Sequence, residues 1–315
     1  MHQFDEHHPE FAGFSDAFAR TVQPVLAERD GLRRAAVKRG LLAVVVCTVL
    51  GTVASLLLWR ATDADDTVLL AMPTLFGPVV GFILFGVLTQ KVRSDTKSRI
   101  VTAVTDHIGW QFDSHVSSFN LAPFESHYLL TKAHDRRSFE DRLSGSAHGA
   151  AFESVEAHLE KRRRDSKGRE TWSTVFRGQL MRIDFPTRTF GRTVVLRDRK
   201  MFNRKKKGDM KRVGLADPVF ERAFEAYGTD QVEARVILDP AFMQRMVDLE
   251  ASVDGKRIRF AFADNDLFIA VETSNRYEAG SMFKPLDAPE RTQRILDEIG
   301  AIYDIVDGVL AKMGR

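Results

Sequence analysis

Cysteine is nearly absent: Cys47 is the single one in 315 residues, so one copy of the chain can form no intrachain disulfide and assemble no cysteine-based metal cluster. The sequence also has no G-x-S-x-G elbow, no P-loop and no dinucleotide-type glycine loop. The usual signatures of nucleophilic catalysis and of nucleotide phosphate binding are therefore missing. Metal ligands do not converge at a recognised spacing either. His7-His8 reads as a solvated tail, and Asp264-Asn265-Asp266 lacks the glycine and closing glutamate of a calcium loop. His107, His115, His127, His134, His148 and His158 are scattered, and any of them could in principle be a general base, but none is assigned. No catalytic residue, cofactor or metal is expected.

Two stretches have no charged residue at all. Residues 40–59, GLLAVVVCTVLGTVASLLLW, and residues 68–88, VLLAMPTLFGPVVGFILFGVL, each contain no Asp, Glu, Lys or Arg. Twenty helical residues rise about 30 Å, the thickness of a hydrocarbon core. The overall charged fraction of 28% and mean hydropathy of -0.21 average these runs with a polar remainder and conceal them. Their apolar character all round argues against ordinary amphipathic core helices. Both runs are expected to persist in the mature protein, since a cleavable signal is short and terminal, whereas the first run starts some forty residues in and a second follows it.

Arg29, Arg33, Arg34, Lys38 and Arg39 precede the first run, and Lys91, Arg93, Lys97 and Arg99 follow the second. Between them stands Arg60 with Asp63, Asp65 and Asp66. By the positive-inside bias, both termini are expected in the cytoplasm and the Arg60 to Thr67 connection outside. Gly77 and Gly81 form a GxxxG pair and Gly51 and Ser55 a small-residue counterpart, which predicts close helix packing. Pro73 and Pro78 are candidates to kink the second helix, and the lack of an intramembrane ionisable group argues against a pore or transporter built from this chain alone.

The soluble parts show other periodicities. Phe11, Phe14, Phe18, Val22 and Val25 mark one face of an amphipathic helix interrupted at Pro24, placed either on the bilayer or against the cytoplasmic domain. A helical extension after the second run reaches Trp110. Strands are read at 146–158, 171–185, 193–196 and 232–238, with a hairpin of 257–263 and 266–272 around Asp264-Asn265. Helices are read from Asp217-Pro218 to Gly228, after Asp239-Pro240, and from an Asp287 cap with Glu290 three residues on. That last helix carries an apolar stripe of Ile295, Ile299, Ile302, Val306, Val309 and Met313, widened by Leu296, Tyr303 and Leu310. The expected fold class is α+β: a transmembrane two-helix hairpin, then a cytoplasmic domain of mainly antiparallel strands with several helices. Residues 1–39 form a cytoplasmic amphipathic segment, 40–90 the hairpin and 91–315 the cytoplasmic domain.

FRGQLMRIDFPTRTFGRTVVL from Phe176, DPVFERAFEAYGTDQVEARVILDPAFMQRM from Asp217 and LFIAV from Leu267 resemble the bacterial family called domain of unknown function 3137. The resemblance covers most of the chain after residue 100, with the hairpin in the expected place. It implies a bacterial membrane protein with a cytosolic domain and supplies no catalytic residues. Arg177, Gly178, Asp184 and Asp230-Gln231 are the polar positions in these stretches that could line a groove, although turn and strand roles explain them as well.

One charge pattern stands out. Arg197, Arg199, Lys200, Arg204, Lys205, Lys206, Lys207, Lys211 and Arg212 occur in sixteen positions, with Met201 and Phe202 interleaved and Lys161 to Arg164 nearby. Beside a membrane the nearest polyanion is the lipid surface, so Arg199, Lys200, Arg204, Lys205, Lys206, Lys207, Lys211 and Arg212 are candidates for anionic contact, the alternative being a solvated loop. Nucleic acid is disfavoured as a partner. The function expected is a membrane-anchored cytoplasmic binding or scaffolding module at a bacterial inner membrane, with lipid and an unidentified protein as partners. The alternatives are a tethered enzyme with an unrecognised site and an accessory subunit of a membrane complex.

Overall fold

The structure is a computed structural model that describes residues 3–61, 67–164, 168–185, 189–197, 208–215, 217–252, 257–273 and 281–310. The chain divides into two units, Met1–His107 with Tyr277–Leu296, and Ile108–Arg276 with Asp297–Arg315.

In the first unit a short helix α1 (Phe14–Thr21) leads into two long ones, α2 (Gln23–Ala61) and α3 (Thr67–His107). At 1.5 Å per residue α2 and α3 are each about 60 Å long, twice a hydrocarbon core, so both continue well past their apolar runs. Pro24 falls in the first turn of α2, where its missing N–H costs nothing, and it starts this helix instead of interrupting the preceding one. Pro73 and Pro78 lie inside α3, which is assigned as one helix throughout. None of the most apolar window of α2 is buried, and only 11% of that of α3. A helix in a soluble core would show the opposite, so length, composition and exposure together mark two candidate membrane spans.

The helices touch through backbone. A Cβ on Gly77 would stand 2.5 Å from the Cys47 carbonyl oxygen, one on Gly51 2.2 Å from that of Pro73, and one on Gly81 2.5 Å from Val44 Cα. Ser55 accepts a hydrogen bond of 2.8 Å from the Thr74 hydroxyl. Small residues bring the two axes together because lipid supplies no hydrophobic drive for helix pairing and dispersion contacts must do so instead. The apolar face of α1 is spent within this unit: Phe14 and Phe18 are buried with Phe4 and Phe11, and the Phe4 and Phe18 rings meet edge-on at 5.0 Å. That face is therefore not open to a bilayer.

The second unit is built on one nine-stranded antiparallel sheet. Its strands are β1 (Gln111–Val116), β2 (Arg136–Ala147), β3 (Ala150–Arg164), β4 (Glu170–Asp184), β5 (Phe190–Arg197), β6 (Lys211–Val213), β7 (Phe224–Gly228), β8 (Ile258–Asp264) and β9 (Asp266–Glu272), in the order β1-β2-β3-β4-β9-β8-β5-β7-β6. Among the helices, α4 (Ala122–Ser126), α5 (Pro218–Ala223), α6 (Gln231–Ile237) and α7 (Pro240–Ser252) belong to this unit. The last helix, α8 (Pro289–Leu310), gives its residues from Asp297 to it. The central strands are buried on both faces, which explains why LFIAV from Leu267 and FAFA from Phe260 read as unbroken apolar runs. Leu180, Ala261, Phe268 and Ala270 face a core closed by Leu121, Phe124, Leu129 and Leu130. Met181, Ile269 and Val271 face α8, where Ile302 is buried.

The α+β class is as expected, and three local expectations are corrected. The strand read over 146–158 is two strands: His148 and Gly149 take φ of 48° and 87°, a primed hairpin turn that joins Ala147 to its partner Ala150. The helix from Pro218 ends at Ala223, because Phe224, Ala226 and Gly228 alternate inward and pair with β5. The strand read at 232–238 is α6. The Asp230 carboxylate accepts from Val232 N and Glu233 N, and Ala234 and Ile237 are buried while Val232 and Val236 are exposed. That is a helical face, and it overrides the β-branched composition. The final helix begins at Pro289, two residues after the expected cap, and buries Ile295, Ile299, Ile302, Tyr303 and Val306. Val309 and Leu310 side chains and Met313 lie outside the described residues.

Gly178 occupies the middle of the β3-β4-β9 triplet at φ 152°, where a Cβ would come 1.9 Å from the Val271 carbonyl oxygen. Gly178→Ala is expected to cost more than about 2 kcal/mol, since both the backbone angle and the approach are denied to alanine. A drop of several degrees in the thermal midpoint of the purified chain is the result to look for, and an unchanged midpoint contradicts it.

Candidate binding surfaces

The basic stretch is only partly within the described residues: Arg199, Lys200, Arg204, Lys205, Lys206 and Lys207 lie outside them. Lys211 and Arg212 are exposed on β6, the edge strand. Arg197 is engaged by the Glu250 carboxylate, and Arg192 pairs with Asp209, so two of the nearby cations are already committed to internal partners.

The polar positions of the family-like stretches serve three separate local structures. Arg177 accepts Thr273 N at its carbonyl, 3.2 Å, beside Gly178. Asp184 ends β4 opposite Asp266, and Asp230 caps α6. Next to Gly178, Gln179 is buried and its amide donates to Ser154 Oγ at 2.7 Å. Gln179, Met181, Ile269 and Val271 floor a crevice under Glu298, Ala301, Ile302 and Ile305 of α8, with a volume of about 20 Å³. That is space for about one water, far below the several hundred Å³ of a small-molecule site. Among the described residues no group of three His, Cys, Asp or Glu side chains is placed to hold a metal. His127 is half-buried and stacked on Phe268, and burial lowers its pKa, with Arg192 adding to the effect.

The first unit holds an open groove of about 580 Å³ between α1, the start of α2 and the end of α3. Val22, Val25, Leu26 and Ala103 supply apolar lining, Thr21, Ser98 and Thr102 hydroxyls, and Arg99, Asp106 and His107 its titratable groups. His107 is oriented by contact of Nε2 with the Ala12 carbonyl at 3.1 Å and by the edge of Phe14.

The same unit contains a buried charge cluster that sequence reading did not single out. Asp30 and Arg33 are three residues apart on α2, 5% and 8% exposed, and meet at 2.6 Å. Arg34 Nε donates to the second oxygen of Asp30 at 2.8 Å, and Leu286 N donates to the first at 3.2 Å. Hydrogen bonding to Arg33 above all holds the Asp30 carboxyl at about 2, against the opposing effect of burial. Arg291 is likewise buried, and it donates to the carbonyls of Ser281, Lys284 and Pro285. Burial, with Arg33 and Arg93 near, pushes the Arg291 guanidinium down from its usual range. The only advance signal was an Asp three residues before an Arg among helical cations, a spacing that is usually a solvated pair.

Because the folded carboxyl of Asp30 titrates below its ordinary value of 3.8, its contribution is complete above that value and is lost as pH falls towards 2. Asp30→Asn leaves Arg33 buried without its counter-charge, a loss of roughly 3 to 5 kcal/mol near neutral pH. Melts of both proteins in detergent are expected to show a gap that is widest at pH 7 and narrows between about pH 4 and 2.

Comparison with known proteins adds little beyond the family. No curated protein matches the chain. The crystal structure of the mycobacterial trehalose monomycolate transport factor A, TtfA, aligns over 68% of this chain and 96% of that one, at 12% identity and a TM-score of 0.31. The resemblance noted in sequence extended over most of the chain after residue 100, whereas the family match begins inside β4 and runs to the end of α8. Residues 174–310 match the family described as Protein of unknown function (DUF3137).

Proposed function

We propose that the chain is a membrane-anchored binding or scaffolding module, held in a bacterial inner membrane by the α2–α3 hairpin with both termini in the cytoplasm, and working through a protein partner. The carrying observation is the hairpin's own surface. Leu42, Leu50, Leu57, Leu75, Phe82 and Val87 are all more than half exposed on helices whose backbones touch, an arrangement suited to lipid and costly in water. Binding is favoured over catalysis because the crevice under α8 is small and mostly apolar, and Ala17, Val22, Val25, Leu26 and Ala103 line the open groove of the first unit. The basic residues on either side of the hairpin support the orientation.

Reporter fusions at residue 315 and within the 61–67 connection test this reading. The expected result is a cytoplasmic signal from the first and an external one from the second, with the chain resisting alkaline extraction. An external signal from the carboxy-terminal fusion overturns the orientation, and release by alkali overturns the anchor.

The basic stretch from Arg197 to Arg212 is read as a contact for anionic lipid. In bilayer discs, hydrogen exchange there is expected to slow with anionic but not neutral lipid. It should recover as salt is raised from 0.1 to 1 M and screening shortens from about 10 to about 3 Å. Changing Lys205, Lys206 and Lys207 to Gln should remove the difference. Equal exchange on both lipids reduces the stretch to a solvated loop.

A further inference from the structure

The segment from Ser281 to Leu286 is fastened to a helix 249 residues away. Arg33 Nη1 donates to the Met282 carbonyl at 2.9 Å, and Leu286 N donates to Asp30 Oδ1 at 3.2 Å. From its other side, Arg291 takes the carbonyls of Lys284 and Pro285 at 2.9 Å each, and that of Ser281. Met282 and Leu286 are buried at 2% and 1%. Four carbonyls of one short turn are thus collected by two buried guanidinium groups, which fixes its backbone closely.

Between the two buried residues the turn presents Phe283 outward. This side chain is 64% exposed, yet it has a fixed neighbour: its ring stacks on Phe85 at 5.7 Å with 16° between planes. Phe85 in turn closes over Gly40, where a Cβ would be 2.5 Å from the ring. Gly40 opens the first apolar run, and Phe85 lies three residues before the end of the second. The stacked pair therefore stands at the edge of the apolar belt on the side of the basic residues. Lys38, Arg39, Lys91 and Arg93 are exposed around that edge, and Lys284 beside Phe283 is exposed and paired with the Glu290 carboxylate at 3.5 Å.

An aromatic ring continuous with an apolar belt and rimmed by cations matches the boundary of a bilayer, where acyl chains give way to phosphates. We propose that the 281–286 turn is a third membrane contact, with the Phe283 ring lying in the headgroup boundary of an anionic leaflet and the exposed Lys38, Arg39, Lys91 and Arg93 supplying the cations that face lipid phosphate. It rests on the reading of α2 and α3 as a bilayer hairpin. It differs from the basic stretch in being a rigid aromatic contact set by buried hydrogen bonds.

The single cysteine makes the test direct. In the full-length chain carrying Cys47→Ala, Phe283→Cys and, separately, Leu50→Cys are labelled with an environment-sensitive fluorophore and placed in discs containing anionic phospholipid. Nitroxide lipids quench from the headgroup region or from deep in the acyl chains, and iodide quenches from water. The expected result is deep quenching at position 50, with strong shallow quenching and several-fold iodide protection at position 283. Deep quenching at 50 with full iodide access and no lipid quenching at 283 overturns the inference and leaves the anchor standing. Absence of lipid quenching at both overturns both. Protection at 283 from iodide without lipid quenching shows protein covering the ring, and also overturns it. Lys284→Cys repeats the measurement should Phe283→Cys loosen the turn.

Discussion

A carboxylate taken out of water must be paired in several directions at once, and Asp30 is: Arg33 and Arg34 meet it along α2, and Leu286 N reaches it from the far end of the chain. The rest of the first unit's organisation at the basic end of the hairpin follows from this. Arg33, neutralised on one side, is free to donate to Met282, and the turn so anchored leaves Arg291 to collect its remaining carbonyls. The desolvation of Asp30 and Arg33 is offset because both carboxylate oxygens and all three guanidinium nitrogens of Arg33 find partners, whereas Arg291 Nη1 is buried without one. Such an arrangement contributes less to net stability than to uniqueness, since an alternative packing of the turn strands a buried charge.

Towards the other end of the helices, the constraint changes from charge to volume. Gly51, Gly77 and Gly81 leave backbone facing backbone, and the exposed leucines, valines and phenylalanines then form an outer surface with no charged side chain in either apolar run. The same two helices thus carry two chemistries in sequence along their length: an apolar half, and a polar half whose buried positions include Leu26, Asp30, Arg33 and Ala36 on α2 and Ile100, Val101 and Val104 on α3. In the second unit the sheet follows a third rule. Its central strands are covered on both sides, so the sheet closes by burying nearly every side chain of β8 and β9.

Much of this was legible in the chain itself. Uncharged runs of lipid-spanning length, the hairpin around Asp264-Asn265, and the stripe Ile295, Ile299, Ile302, Val306 each depend on local spacing alone, and each is present in the structure. Where sequence reading failed, two local preferences competed. The β-branched residues of 232–238 favour a strand, but the Asp230 cap and the buried Ala234 and Ile237 decide for a helix. Phe220 and Phe224 share a helical spacing, yet Phe224 finds its hydrogen bonds in the sheet. The candidate sites were less legible still, because the buried cluster joins residues 30, 33, 282, 286 and 291, and only spatial proximity distinguishes Asp30-Arg33 from a solvated helical pair.

The sequence by itself determined the class of the protein: two uncharged runs long enough to span a membrane, an α+β remainder, and a stretch, residues 174–310, that matches a family of unknown function. These are properties of composition and period, which every residue carries with it. Only the tertiary structure decided that Gly178 must be glycine, that Gln179 borders a space no larger than a water, and that Phe283 rests on Phe85. Each of those is a contact between segments distant along the chain, and no local periodicity encodes which distant atom will be the neighbour.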